Sequence, residues 1–321
     1  MLHTTGHAIA VFFHHLAAVR WQWLGIAVAC HLCKLGAASR AWRNIVKAAY
    51  PDRRLRWRAM FAAYVAGTGV NAIIPARGGD AVKLFIAKRR VEGATYTTLV
   101  ATILLQTLFD TALAGCFLVW ALTQGVLPGL HVLPHLPSFD YGWAFRHPKV
   151  GLILFVSLLL FGGLFAVWIA ERVEDFQHRI AQGFSALRDR SYYVTRVVPL
   201  QLADWTLRLT AVFFFLRAFG IAGTAHNVLL VQVSQSLATI FPFSPAGIGT
   251  EQALLLYIFR GAASRTSVLS FSVGMRITLI AVNATLGFTA ILLTLRTLRF
   301  REVIDADRTA VPNTKGQTPA A

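Results

Sequence analysis

Long apolar runs, interrupted by short basic or polar segments, dominate this chain. A helix needs about 20 apolar residues to cross roughly 30 Å of hydrocarbon. Runs near that length predict spans over 21–41, 95–123, 150–170, 198–219 and 267–295. Two more apolar stretches, Met60–Ile74 and 225–241, are too short to cross comfortably. Each stops at a Pro- and Gly-rich break, Asn71-Ala-Ile-Ile-Pro-Ala-Arg-Gly-Gly-Asp80 in the first and Phe241-Pro-Phe-Ser-Pro-Ala-Gly-Ile-Gly-Thr-Glu251 in the second. Each break leads into another short helix, the second ending at Phe259. Proline ends a helix and glycine lets the chain reverse. The pattern therefore predicts an all-α, polytopic helical membrane protein containing two broken-helix hairpins. Residues 7–19 are read as a short additional helix, expected to cross, lie at the interface or pack on the bundle.

Basic residues set the orientation, because Lys and Arg flanking a span stay on the cytoplasmic side. Between 39 and 58, Arg40, Arg43, Lys47, Arg53, Arg54, Arg56 and Arg58 stand against one acid, Asp52. Lys83, Lys88, Arg89 and Arg90 follow the first break. The piece from 59 to 91 is thus expected to enter and leave by the cytoplasmic face as a re-entrant hairpin. Loop 124–149, charged only at Asp140, Arg146 and Lys149, suits the external side, and 171–196 reads as a cytoplasmic amphipathic helix. The second hairpin then enters from outside, and the last span ends at Arg296, Arg299 and Arg301. Trp42, with Arg40 and Arg43, is expected to anchor the first span at the interface. This layout gives one integral membrane domain over 1–300, with repeat one at about 21–123 and repeat two at about 150–298. Residues 301–321 are expected to be a disordered cytoplasmic tail.

Composition agrees. Of 321 residues, 56% are hydrophobic and 14% charged, and the mean hydropathy is +0.57. The net charge of +17 would point to nucleic acid in a soluble protein. Here the bases sit between apolar runs as topology signals, and no nucleic-acid partner is expected. No Lys or Arg precedes Arg20, so a removable signal peptide is not expected. Cys30 and Cys33 form a CxxC inside an apolar helix without βαβ context, which favours packing over redox or metal chemistry. The ten histidines lack HExxH-like spacing. Neither a metal nor a cofactor is expected, and no ATP-binding P-loop occurs.

The two breaks share a Pro-Ala, two glycines and a following acid, and the charge-derived topology puts them on opposite sides. Together these features predict two inverted repeats, each with a re-entrant hairpin. Irregular backbone at membrane depth must be buried in protein or line a watery cavity. A cavity is therefore expected between the tips, where the outgoing half-helices aim free N–H groups at an anionic headgroup. Asp80 and Glu251 have a second reading, as caps of those helices. A charge within a span costs about 2.5–3.5 kcal/mol on insertion scales. Asp110, one turn beyond Gln106, and Arg276 are accordingly expected to join acid–arginine pairs inside the bundle. Asp204 and Arg208, at i and i+4, are expected to form a local structural ion pair.

On these residues the chain resembles the flippase-like family named for the transmembrane region of lysylphosphatidylglycerol synthase, over nearly its whole length. Asn71, Pro75, Arg77, Gly78, Gly79 and Asp80 match the family's Asn…Pro-x-Arg-x-Gly-Glu/Asp pattern. Pro242, Ser244, Pro245, Gly247, Gly249 and Glu251 match the second hairpin, with the acid two residues after Gly249. Arg276 corresponds to an arginine early in the last span. Where relatives often carry Glu-Arg before the mid-span Asp, this chain has Gln106 and Thr107 and keeps Asp110, a reduced charge network. The larger synthases add a soluble aminoacyltransferase domain, so lysyl transfer is not the expected chemistry of these 321 residues.

The resemblance implies translocation of a lipid: an aminoacylated phospholipid, a polyprenyl-linked sugar or, in one branch, a hopanoid. The expected substrate-binding residues are Asn71, Pro75, Arg77, Gly78, Gly79, Asp80, Asp110, Ser244, Pro245, Gly247, Gly249, Glu251 and Arg276, with no catalytic set. An anionic or lipid-linked amphiphile is the expected partner, in the bacterial inner membrane. A membrane enzyme on lipid-linked substrates, and a noncatalytic partner of a lipid-modifying enzyme, are the alternatives. The sequence specifies no oligomeric state.

Overall fold

The computed structural model describes residues 19–74, 78–123, 174–240, 250–260 and 263–310. Its helices are α1 (Trp21–Ala49), α2 (Trp57–Ile73), α3 (Gly78–Arg90) and α4 (Tyr96–Thr123). They continue as α5 (Glu174–Gly183), α6 (Ser185–Arg188), α7 (Arg190–Ala218), α8 (Ala225–Ile240), α9 (Thr250–Ile258) and α10 (Arg265–Ala310). No strand occurs among the described residues. The span expected over 150–170, loop 124–149, the helix at 7–19 and the break residues 75–77 and 241–249 lie outside them.

Among the described residues three helices are long and apolar enough to cross a membrane: Tyr96–Ala121, Arg190–Ala218 and Arg265–Thr294. Their outward side chains suit lipid and not water, since Leu108, Val119, Phe288 and Leu293 are 60%, 61%, 65% and 58% exposed. The chain is an integral membrane protein. α1 is long enough but carries His31 and Lys34, and it is not among the three. It nonetheless covers the same depth as α7. Arg20 N–H at its start donates to the Ala218 carbonyl at 3.0 Å, and Ile45 near its end packs with Val197.

Several boundaries differ from expectation for local reasons. α1 runs past 41 to Ala49, because Ala, Arg, Asn, Ile and Lys here continue the helix until Pro51. Trp42 is consequently not an interfacial anchor: it is fully buried, and its Nε1–H donates to Thr102 Oγ1 at 3.1 Å. The segment 171–196 is not a single amphipathic helix but contains α5, α6 and the start of α7. α7 then passes through a π-turn at Tyr193–Val197 immediately before Pro199, whose ring cannot join a regular ladder. Toward the C-terminus α10 runs past the expected end of the span at 295 through 301–310, where no Gly or Pro interrupts the chain after Gly287.

Two apolar clusters occupy opposite ends of α1 and α10. One joins Leu35, Trp42 and Val46 of α1 to Met60, Ala63, Ile86, Leu99 and Ala290, around the α2–α3 pair. The other joins Ala27 to Phe215, Val231, Leu255, Phe259, Phe271 and Met275, around the α8–α9 pair. The two hairpins therefore sit at opposite ends of a frame made by α1, α7 and α10.

Lipid tails are as apolar as leucine, so helices associate here through close contact and not through escape from water. α2 is held on both flanks by glycines. A Cβ on Gly67 would meet Gly79 O at 2.6 Å in α3, and one on Gly69 would meet Asn283 O and Gly287 Cα at 2.6 Å in α10. A Cβ on Gly287 would lie 2.6 Å from Gly69 Cα. Gly287→Leu should therefore destabilise the protein in detergent by at least about 2 kcal/mol, the scale of core overpacking. Gly25→Leu, where nothing lies within 4 Å, should leave the thermal midpoint within a degree or two of wild type. Equal effects of both would contradict this packing.

Candidate functional site

At the first tip, Asn71 in the last turn of α2 reaches across the break. Its Oδ1 accepts from Gly79 N–H at 2.7 Å and its Nδ2 donates to Asp80 Oδ1 at 3.4 Å. One side chain thereby ties the incoming helix to the first turn of the outgoing one, satisfying an N–H that an α-helix start leaves free. Gly79 allows this approach, for a Cβ there would lie 2.8 Å from Asn71 N and Cγ. Of the residues expected here, Asn71, Gly78, Gly79 and Asp80 come together, while Pro75 and Arg77 lie outside the described residues.

At the second tip, Glu251 in the first turn of α9 uses both oxygens. Oε1 accepts from Gln235 Nε2 and Oε2 from Arg276 Nη1, each at 3.2 Å. The Glu251 and Arg276 side chains are 11% and 23% exposed, which makes this a largely desolvated ion pair between α9 and α10. The expected pairing of Arg276 with an acid is thus made by Glu251, whose partners among the described residues are the side chains of Gln235 and Arg276. Ser244, Pro245, Gly247 and Gly249 lie outside the described residues.

The depths of the two tips converge. In the first hairpin Gly69, two residues before Asn71, abuts Asn283 and Gly287, and in the second Glu251 meets Arg276. Arg276 and Asn283 are roughly 10 Å apart at 1.5 Å per residue, and both lie near the middle of the span Arg265–Thr294.

Between the tips the frame is polar inside. Asp110 of α4 accepts from Trp205 Nε1 at 2.8 Å, and the expected direct pairing of Asp110 with an arginine is replaced by this indole bond. Two cations, Arg208 and Lys34, act on Asp110 electrostatically without a direct bond. Asp204 and Arg208 form the expected i,i+4 pair at 3.5 Å, with Asp204 nearly buried, and the Arg208 guanidinium lies 4.5 Å from the Trp205 ring centroid. Lys34 of α1 lies in the field of Arg208, Asp204 and Asp110. One turn away, His31 Nε2 is 2.8 Å from Asn283 Oδ1 on α10. Lys83 of α3, 6% exposed, sits over Trp42 and Tyr64 at 4.1 and 4.4 Å, and both Asp80 and Asp110 act on it.

Sequence reasoning missed Lys34, His31, Tyr64 and the burial of Lys83. A lysine and a histidine spaced i and i+3 within a predicted span were a readable signal for the first two, because neither is tolerated facing lipid. Their partners, on α7 and α10, were not readable. The cysteines of the CxxC are unpaired, with Cys30 half-buried and Cys33 exposed. Among the described residues no group of three or more His, Cys, Asp or Glu is placed to hold a metal.

Residues 6–287 match the family described as the lysylphosphatidylglycerol synthase TM region. No curated protein sequence and no solved structure matches the chain.

The Glu251–Arg276 pair gives a direct test of the second tip. Glu251→Ala and Arg276→Ala should each cost about 1–3 kcal/mol, the scale for orphaning a buried charged partner. The double variant should cost clearly less than the sum when unfolding is followed in detergent. Strict additivity would show that the two side chains do not interact.

Proposed function

Because the chain belongs to the lysylphosphatidylglycerol synthase transmembrane-region family, an integral membrane family tied to lipid metabolism or transport, we propose that it moves a lipid or lipid-linked amphiphile across the membrane. The two hairpins act as re-entrant elements from opposite faces, related as an inverted repeat. The observation that carries this reading is the convergence of their tips near the middle of α10, beside an interior lined by Lys34, Lys83, Arg208, Asp110 and Asp204. An anionic headgroup passing the tips meets the half-helix N-termini of α3 and α9 and these cations, while its tails stay against the apolar outer faces of α4 and α10.

The protein works in this reading as a transporter and not as an enzyme. The buried carboxylates have structural partners: Asp110 has Trp205, Asp204 has Arg208 and Glu251 has Arg276. Movement runs downhill or is coupled to an ion gradient, with protonation of an interior carboxylate as the coupling step. The basic ends of α1 and α3 orient the chain in a bacterial inner membrane, with the end of α10 on the cytoplasmic side.

Reconstitution into proteoliposomes with headgroup-labelled phospholipids tests the proposal. Wild type should accelerate transbilayer movement, and Glu251→Ala and Lys34→Met should each reduce the rate at least tenfold at matched protein density. Variants as fast as wild type would contradict the path described. A wild type that moves none of a broad lipid panel would instead favour a noncatalytic partner of a lipid-modifying enzyme.

A further inference from the structure

A second charged feature lies away from the interior path, where the α1–α2 connection meets the α3–α4 connection. Arg53, Arg54, Arg56 and Arg90, with Asp52 and Glu92, line a half-open recess of about 420 Å³. We propose that this recess binds the phosphate headgroup of an anionic membrane lipid. It would do so whether or not that lipid is then carried across.

The loop bearing these arginines is fixed from below. Lys47 Nζ donates to the carbonyls of Pro51 and Arg53, and Arg43 donates through Nε and Nη2 to the Leu55 carbonyl at 3.1 and 3.0 Å. Leu55 is buried beneath the loop, and Tyr50 OH accepts from Thr95 N–H at 3.1 Å, joining the two connections. A basic loop that served only as a topology signal would need no such scaffold, since that rule depends on charge and position and not on geometry. Here two cations are used to hold the backbone that presents the others.

Charge and chemistry point to phosphate. Four arginines against two acids leave a formal surplus of two positive charges in the recess, which matches a dianionic phosphomonoester or diphosphate better than a singly charged phosphodiester. Guanidinium groups pair with phosphate oxygens through two parallel hydrogen bonds. Arg53 Nη1 already contacts Glu92 Oε2 at 3.0 Å across the recess. Both side chains are well exposed, so this carboxylate is a weakly held occupant that an arriving anion can replace.

The depth of the recess points to a lipid source. On the helices that the two connections join, Arg40 lies over Trp57 at 5.7 Å, Lys88 over Tyr96 at 4.1 Å and Arg89 over Phe85 at 4.9 Å. Trp57, Tyr96 and Phe85 are each partly exposed. A belt of aromatic rings with basic heads marks the headgroup level of a bilayer.

Native mass spectrometry of the purified chain with dioctanoyl phosphatidic acid tests this, with dioctanoyl phosphatidylglycerol and pyrophosphate as comparison probes. Arg54→Gln/Arg56→Gln should raise the apparent Kd for phosphatidic acid at least tenfold, and phosphatidylglycerol should bind wild type more weakly than phosphatidic acid does. Arg20→Gln/Arg260→Gln, an equal charge change away from the recess, should leave both affinities unchanged. Arg54→Lys/Arg56→Lys keeps the charge but loses the planar fork, and should fall between wild type and the glutamine variant. Equal losses in the Arg20/Arg260 variant would overturn the site in favour of diffuse attraction. Pyrophosphate binding as tightly as the lipid would overturn the lipid assignment in favour of free phosphate.

Discussion

A charged side chain on a helix surrounded by hydrocarbon has no water to fall back on, so it must find its partner within the protein. That constraint organises this bundle. Lys34, Asp110, Asp204 and Arg208 come from three different helices, and they lie close enough to act on one another inside a frame whose outer faces are Leu, Val and Phe. Lys83 completes the set from a fourth helix, held over Trp42 and Tyr64. The polar groups fix which faces turn inward, and glycine contacts such as Gly69 against Gly287 then fix how closely the helices meet.

The same constraint explains the hairpins. α2 with α3, and α8 with α9, are too short to cross alone, and their ends expose backbone groups that lipid cannot satisfy. At the first tip Asn71 supplies the missing hydrogen bond to Gly79. At the second, Glu251 is held by Gln235 and Arg276. Gly69 of the first hairpin and Glu251 of the second both meet α10 near the middle of its apolar span, one hairpin from each end of the frame. A polar interior between two hairpins is what the proposed passage of a lipid headgroup requires, with the tails remaining outside.

Much of this was legible in the sequence, and the limits have physical causes. Span positions followed from run length, as α4 and the Val198–Ala218 part of α7 show, and so did the short helix α8. The Asp204–Arg208 pair followed from helical spacing, because both partners share a helix. Partners on different helices were out of reach: nothing in the order of residues places Trp205 against Asp110 or His31 against Asn283. Trp42 looked like an interfacial anchor because arginines flank it, yet its indole finds Thr102 inside the bundle. A tryptophan beside basic residues reads the same in sequence whether its ring faces the interface or a neighbouring helix. The run of α10 beyond its apolar span was hidden by the polarity of the sequence there, although no Gly or Pro occurs between Phe288 and Ala310.

The central claim is that the two hairpins enter from opposite faces and meet at mid-depth. Single cysteines at Ile73 and Ser236, in a chain with Cys30, Cys33 and Cys116 replaced by Ala, report this directly through membrane-impermeant thiol reagents in oriented vesicles. The account predicts that Ile73→Cys is modified from the cytoplasmic face and Ser236→Cys from the opposite one. Modification of both from the same face would contradict it.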